Sequence, residues 1–234
     1  MLNNKYKHNK IIYPLVISMY WPLYKLYDVI FKDGIRYSIL PLMLPTFFYI
    51  LAAVLFYILA NKLKSIKRIY IFLVPLILVF IDILLKLLVK KYNLEISFGY
   101  LFQIKPNYNL YNAALLNFLD IDCPFIIVLI IRLSILFIFP LILKKMYDEL
   151  KADYFYIQIA FILLISGGLC SILDMIIFGY TLDFIYLQYY FTMDLKDIYV
   201  DLGIHIIIAY IINIIIQLQR VKKERAKKNV NLVD

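Results

Sequence analysis

Five stretches of this chain stay apolar for about the 20 residues that an α-helix needs to cross a bilayer. They cover residues 38–61, 69–90, 123–143, 154–174 and 200–218. Hydrocarbon offers no water to bond a free N–H or C=O, so apolar blocks of this length must close their hydrogen bonds internally as helices. A sixth stretch, residues 11–31, is broken by Pro14 and Pro22 and carries Lys25 and Asp28, so it either spans or lies along the interface. Composition agrees with this class. Of the 234 residues 64% are hydrophobic and 18% charged, whereas soluble domains run nearer half and a quarter. The fold class expected is an all-α integral membrane protein.

The net charge of +9 sits in short runs between the apolar blocks: "NKYKHNK", "NKLKSIKR", "KKMYDELK" and "QRVKKERAKK". Such runs mark the cytoplasmic side, and no helix or sheet is left free to read bases. A nucleic-acid partner is therefore excluded in favour of membrane lipids, with the C-terminal run lying near anionic headgroups. Orientation follows. Residues 91–122 and 175–199 lie outside, both termini lie inside, and an even count of six spans is expected. A label applied from outside should then reach Lys196 and miss Lys223. The N-terminal stretch has no small-residue A-x-A site of a cleavable signal peptide. Cys123 and Cys170, with His8 and His205, form neither a disulfide framework nor metal-ligand spacing, so no metal or organic cofactor is expected.

Against this apolar background, "GYTLDFIYLQYYFTMDLKDIYVDLG" over residues 179–203 holds Asp183, Asp194, Asp197 and Asp201. A carboxylate is expensive near hydrocarbon. Two of them meeting at the outer surface can share a proton, one as base and one as acid, and turn water against an amide. The competing reading is local: Asp194 or Asp197 caps the last helix. Within the spans, Asp82 and Lys86 are four residues apart on one helix face and can pair. Arg132 lies about as deep as Asp82, at roughly 12–13 Å by helical rise, and an intramembrane charge seldom goes unpaired; it is expected to contact Asp82. Gly167 and Gly168 suit close helix packing. Tyr180, Tyr186, Tyr189 and Tyr190 suit an interfacial aromatic belt.

The order of these polar elements resembles that of signal peptidase II, the lipoprotein signal peptidase. The family's first span carries DxxxK, matched by Asp82 and Lys86 in "FIDILLKLLV". Its third span ends in a GGxxGNxxDR-like segment, matched by "SGGLCSILDM" up to Asp174 and Met175. A GxxxDF element follows, here "GYTLDF" with Asp183, and the last span opens with FNxAD, here "MDLKD" with Asp197. The NxGAAF stretch is echoed in "NLYNAALL", with Asn109 or Asn112 for its Asn. This chain has Cys170, Ser171 and Met175 where the family has Gly, Asn and Arg, and Asp194 and Lys196 where it has Asn and Ala.

The resemblance implies a four-helix protease domain over residues 69–218, preceded by an N-terminal membrane extension (1–68) of one or two helices and followed by a basic cytoplasmic tail (219–234). It implies an aspartic endopeptidase of the bacterial cytoplasmic membrane, working as a monomer without cofactors. Its substrate would be the signal peptide of a lipid-modified prolipoprotein. Asp183 and Asp197 would be catalytic. Asn112, Ser171, Asp174 and Asp194 would face the substrate, with Asp174 also positioning the loop of Asp183, and Asp82, Lys86 and Arg132 would be structural polar groups. Asp194→Asn and Asp201→Asn should then be mild. Two alternatives stay open: a paralogue cutting another membrane peptide, and a non-catalytic scaffold or transporter using Asp82, Lys86 and Arg132 as a relay.

Overall fold

A computed structural model describes residues 10–28, 40–99, 102–109, 124–150, 154–187 and 191–230. The chain runs α1 (Ile12–Asp28), α2 (Leu40–Lys62), α3 (Arg68–Tyr92), β1 (Ile96–Phe98), β2 (Phe102–Asn109), α4 (Phe125–Leu150), α5 (Tyr154–Phe178), β3 (Thr181–Leu187), β4 (Phe191–Met193) and α6 (Leu195–Val230). Among the described residues, five helices are long and apolar enough to cross a membrane: α2 to α6. Their outward faces carry exposed Phe72, Phe80, Ile130, Phe137 and Ile215, the pattern of a lipid-facing surface. The expected all-α membrane bundle is there. The sixth stretch begins with α1, described over 17 residues to Asp28; residues 29–31 of that stretch lie outside the described residues.

The central helix is α5, which packs against α3, α4 and α6. Small residues set how close these helices come. A Cβ on Gly167 would stand 2.5 Å from the Val200 side chain and 3.1 Å from the Lys196 carbonyl, and one on Gly168 would stand 2.8 Å from Leu136. The reciprocal position on α6 is Gly203, whose Cβ would meet Leu164 at 2.6 Å. The glycines thus do the packing work expected of them.

The two connections expected to lie outside carry strands. β1, β2, β3 and β4 form one antiparallel sheet in that order. Sheet pairing between β2 and β3 joins segments some 76 residues apart, Asn107 lying opposite Asp183, and so brings both inter-helix segments to one end of the bundle. Pro106 cannot donate to a ladder and sits where the β2–β3 register shifts between Ile104 and Asn107. Entry into β3 depends on Gly179, which has φ +76° and donates its N–H to the Met175 carbonyl at 3.1 Å. That turn ends α5 and sends Asp183 into the sheet.

At the opposite end, Lys10 Nζ donates to the Ala60 carbonyl at 2.7 Å. Gln158 exchanges two hydrogen bonds with the backbone of Ile66, at 2.6 and 3.0 Å. The start of α1, the end of α2, the start of α3 and the start of α5 therefore share one end, next to the basic runs. The sheet and the basic runs lie at opposite ends, as the orientation argument requires. A cysteine placed at exposed Tyr108 in the sheet should react with an impermeant thiol reagent on intact cells, and one at exposed Lys64 should react only after permeabilisation. The opposite pattern would invert the topology.

Candidate active site

The ammonium of Lys86 anchors the site. Its Nζ lies 2.7 Å from Asp82 Oδ2, 2.7 Å from Asp174 Oδ2 and 2.7 Å from Asp194 Oδ2, with all four side chains fully buried. Lys86 donates to both oxygens of Asp174, at 2.8 and 2.7 Å, and is ion-paired with Asp82 and Asp194. The Asp82–Lys86 pair expected from the four-residue spacing is present. The expected Asp82–Arg132 contact is not: Arg132 donates instead to the backbone carbonyl of Ser171 at 2.7 Å. Equal depth on neighbouring spans did not decide the partner, because Lys86 already holds Asp82 and the carbonyl of Ser171 was nearer to hand. Ser171, expected beside the substrate, enters the network through its main chain.

Lys196 extends the cluster toward the sheet. It is ion-paired to Asp194 and lies 3.4 Å from Asp174 Oδ2, 3.8 Å from Asp183 Oδ1 and 3.8 Å from Asp197 Oδ1. Its side chain is only 7% exposed, so the outside label expected to reach Lys196 has no access to it. Asp174 and Asp194, assigned to the substrate on the resemblance, both turn inward onto ammonium groups. Burial alone would raise the Asp194 carboxyl. Lys196 and Lys86 more than offset this and hold it below the ordinary carboxylate value.

Asp194 and Asp197 also cap α6 reciprocally. The Asp197 N–H donates to Asp194 Oδ1 and the Asp194 N–H donates to Asp197 Oδ2, both at 3.1 Å. This is a capping box built from two aspartates. The local reading of these residues as caps therefore holds, and it also serves the site, because the cap fixes one oxygen of Asp197 and so orients the other. The Asp197 carboxylate is 44% exposed while that of Asp183 is 6% exposed, so the pair has one open member and one enclosed member. Oxygens of Asp183, Asp194 and Asp197 all lie within 4.8 Å of one another, and the cation set among them is Lys196.

Two residues missed in the sequence support Asp183. Thr192 Oγ1 donates to Asp183 Oδ2 at 3.4 Å, and Asn107 Nδ2 donates to Thr192 Oγ1 at 3.0 Å. Asn107 of "KPNYNLYN" thus reaches the site; Asn112 and the side chain of Asn109 lie outside what the structure describes. Membership of an Asn-rich run was the sequence signal for Asn107. Of the tyrosines, Tyr180 packs edge-on to Tyr108 with the Lys90 ammonium over it, and Tyr186 lies under Lys105. Tyr189 and Tyr190 lie outside the described residues.

The family model described as signal peptidase (SPase) II matches residues 74–213. A solved bacterial membrane enzyme, determined by the in meso method at 2.3 Å resolution, shares the fold. It has a TM-score of 0.52 at 20% identity and covers 64% of this chain and 91% of its own. A second bacterial membrane enzyme, solved by the same method at 1.9 Å, has a TM-score of 0.49 at 19% identity, covering 62% of this chain and 94% of its own. No curated protein sequence matches the chain.

Lys86→Met leaves buried Asp82 without a cation and Asp174 and Asp194 with Lys196 alone, so it should destabilise the bundle by about 3–5 kcal/mol, read as a fall in the thermal unfolding midpoint in detergent. Asp82→Asn should cost less, because Lys86 keeps two partners. Asp194 adds a pH dependence of known sign. Its folded-state value is depressed, so its contribution to stability is fully present above about pH 4. That contribution is lost as pH falls through the lower folded value. Acid titration of the unfolding midpoint should show this loss, and Asp194→Asn should abolish it.

Proposed function

The chain belongs to the signal peptidase II family, and from that membership we propose that it is an aspartic endopeptidase cutting the signal peptide of a lipid-modified prolipoprotein at the outer face of a bacterial cytoplasmic membrane. A membrane protease follows from the family; the substrate, the location and the residues are this proposal's own. The observation that supports it best is the convergence of Asp183 from β3 with Asp197 from the first turn of α6, their oxygens within 4.8 Å. It lies at the sheet end of a bundle whose helix faces are otherwise apolar.

Two carboxylates this close do not both ionise readily, so they share a proton. A water between them gives a proton to the ionised member as its oxygen attacks the scissile carbonyl carbon. The protonated member donates to the carbonyl oxygen, which becomes a hydroxyl in the tetrahedral intermediate. That hydroxyl then returns its proton to the dyad as the C–N bond breaks, and the leaving amine takes up the other proton. Protons and charges balance without a cofactor. Asn107 and Thr192 orient the enclosed Asp183, and the capping box orients the open Asp197. The apolar surface on α3 and α4 would hold the lipid chains and the helical signal segment. Met175, Asp194 and Lys196, where the family motif has Arg, Asn and Ala, favour a substrate pocket of altered polarity around the same chemistry.

Cleavage of a diacylglyceryl-modified signal peptide by the purified chain in micelles is the direct test. Asp183→Asn and Asp197→Asn should each lower the rate by at least about 10²-fold, the scale of general acid–base catalysis, with unfolding midpoints close to the parent. Asp201→Asn should cut almost normally, because Asp201 bonds to Tyr49 on α2 at 2.9 Å and not to the dyad. Asp194→Asn, expected from the resemblance to be mild, should instead lose stability and rate together, since two buried ammonium groups share that carboxylate. Normal cutting by both dyad variants would remove the aspartic mechanism.

A further inference from the structure

One buried cation stands between the two dyad carboxylates, and neither the hydrolytic scheme nor the family's sequence elements make use of it. Lys196 Nζ is 3.8 Å from Asp183 Oδ1 and 3.8 Å from Asp197 Oδ1. That separation is short enough for strong attraction in a water-poor site. It is too long for a hydrogen bond. The dyad oxygens facing Lys196 therefore feel its charge without spending a lone pair on it. Asp194 sets this distance, because it binds Lys196 directly while itself being held at 2.7 Å by Lys86. Asp194 and Lys196 occupy the two positions where the resembled element has neutral Asn and Ala. They form a buried pair in which each is the other's shortest ionic contact.

We propose that Lys196 is a positioning residue of the dyad: its ammonium, held off by Asp194, is the counter-ion that keeps Asp183 and Asp197 together around one shared proton. The proposal rests on the protease reading above.

The charged groups around the dyad leave Lys196 alone in this position. From α3 come Asp82 and Lys86, the latter fully engaged by three carboxylates. From α4 comes Arg132, which donates to the Ser171 carbonyl and is within electrostatic reach of Asp174, Asp194 and Asp197. From α5 comes Asp174, and from β2 come neutral Asn107 and Lys105, whose ammonium lies over the Tyr186 ring. Next along α6, Asp201 is bonded to Tyr49. Among the described residues Lys196 is the one cation within 4.0 Å of both dyad carboxylates. Five carboxylates (Asp82, Asp174, Asp183, Asp194 and Asp197) thus face Lys86, Lys196 and Arg132, an excess of negative charge that a bound proton relieves. Removing Lys196 enlarges the excess, so the dyad should keep its proton to higher pH.

The test compares Lys196→Met with Lys196→Arg in the full chain in micelles. Because Lys196→Met leaves Asp194 with one partner fewer, the double variant Asp194→Asn/Lys196→Ala, which removes both charges, is measured beside it. Two readouts are used. One is the pH profile of cleavage of the lipidated peptide. The other is the infrared carbonyl band of the protonated dyad, identified as the band that Asp183→Asn and Asp197→Asn each remove. In Lys196→Met and in the double variant, the band midpoint and both limits of the cleavage profile should move to higher pH by about one unit or more. Lys196→Arg should leave them in place. Unmoved midpoints and limits, with only a uniform loss of rate, would make Lys196 a structural residue and overturn the proposal. If the parent cuts nothing but the band still moves, the protease reading fails and the role of Lys196 stands; if the parent cuts and neither readout moves, Lys196 fails alone. Absence of both cutting and a dyad band rejects the two together.

Discussion

Three carboxylates on one ammonium, far from water, organise this bundle. Lys86 brings together Asp82 from its own helix, Asp174 from the end of α5 and Asp194 from the start of α6. Bringing an ammonium into a low-dielectric interior is costly unless its charge is paired, so Lys86 favours arrangements that deliver all three carboxylates. That requirement ties three helices at one depth and fixes where β3 leaves α5 and where α6 begins. Asp183 and Asp197 lie just beyond those points. The polar cluster is thus the foundation of the Asp183–Asp197 pair, and the glycine contacts at Gly167 and Gly203 let α5 and α6 come close enough to form it.

The geometry at the head of α6 shows how one short segment carries three tasks. "DLKD" places Asp194 as N-cap and Asp197 three residues on, which closes the capping box. The same spacing turns the free side of Asp194 to Lys86 and the free side of Asp197 to the surface. Lys196, between them, reaches back into the cluster because one residue along a helix rotates the side chain by about 100°. A cap, an ion-pair hub and a catalytic group are therefore compatible readings of these aspartates.

Much of this was legible before the structure, and what was missed shares one cause. Apolar length disclosed the five long helices, the i,i+4 rule disclosed Asp82–Lys86, and the basic runs disclosed which ends belong together. These are local or one-dimensional signals. The sheet was not legible, because "FQIKPNYN" and "TLDFIYL" become strands through partners some 76 residues away. Nor was the Lys86–Asp174 contact, 88 residues apart, although both ends had been singled out. Arg132 was assigned the wrong partner because depth along a helix says nothing of which way the side chain faces. Asn107 and Thr192 carry no charge and no motif, and only the strand register makes them neighbours of Asp183.

The N-terminal extension belongs to the same physical account. The family match begins at residue 74, yet packing runs across that boundary: α1 lies against α2 and α6, and Tyr13 stacks on Tyr156 of α5 with ring centres 3.8 Å apart. Polar residues recur along α6 at four-residue steps broken once by Ala209, with Asp197, Asp201, His205, Asn213 and Gln217 on a slowly turning stripe. Past the active site such a stripe is expensive in a bilayer unless protein covers it. Tyr49 of α2 supplies cover at the first two steps, donating to Asp201 and packing edge-on to His205, and both Tyr49 and His205 are almost wholly buried. A helix carrying Asp197 at its head and a polar stripe below it cannot turn that face to lipid. The extra helices therefore read as the partner that this version of α6 requires, and their presence and the polarity of α6 are one feature seen from two sides.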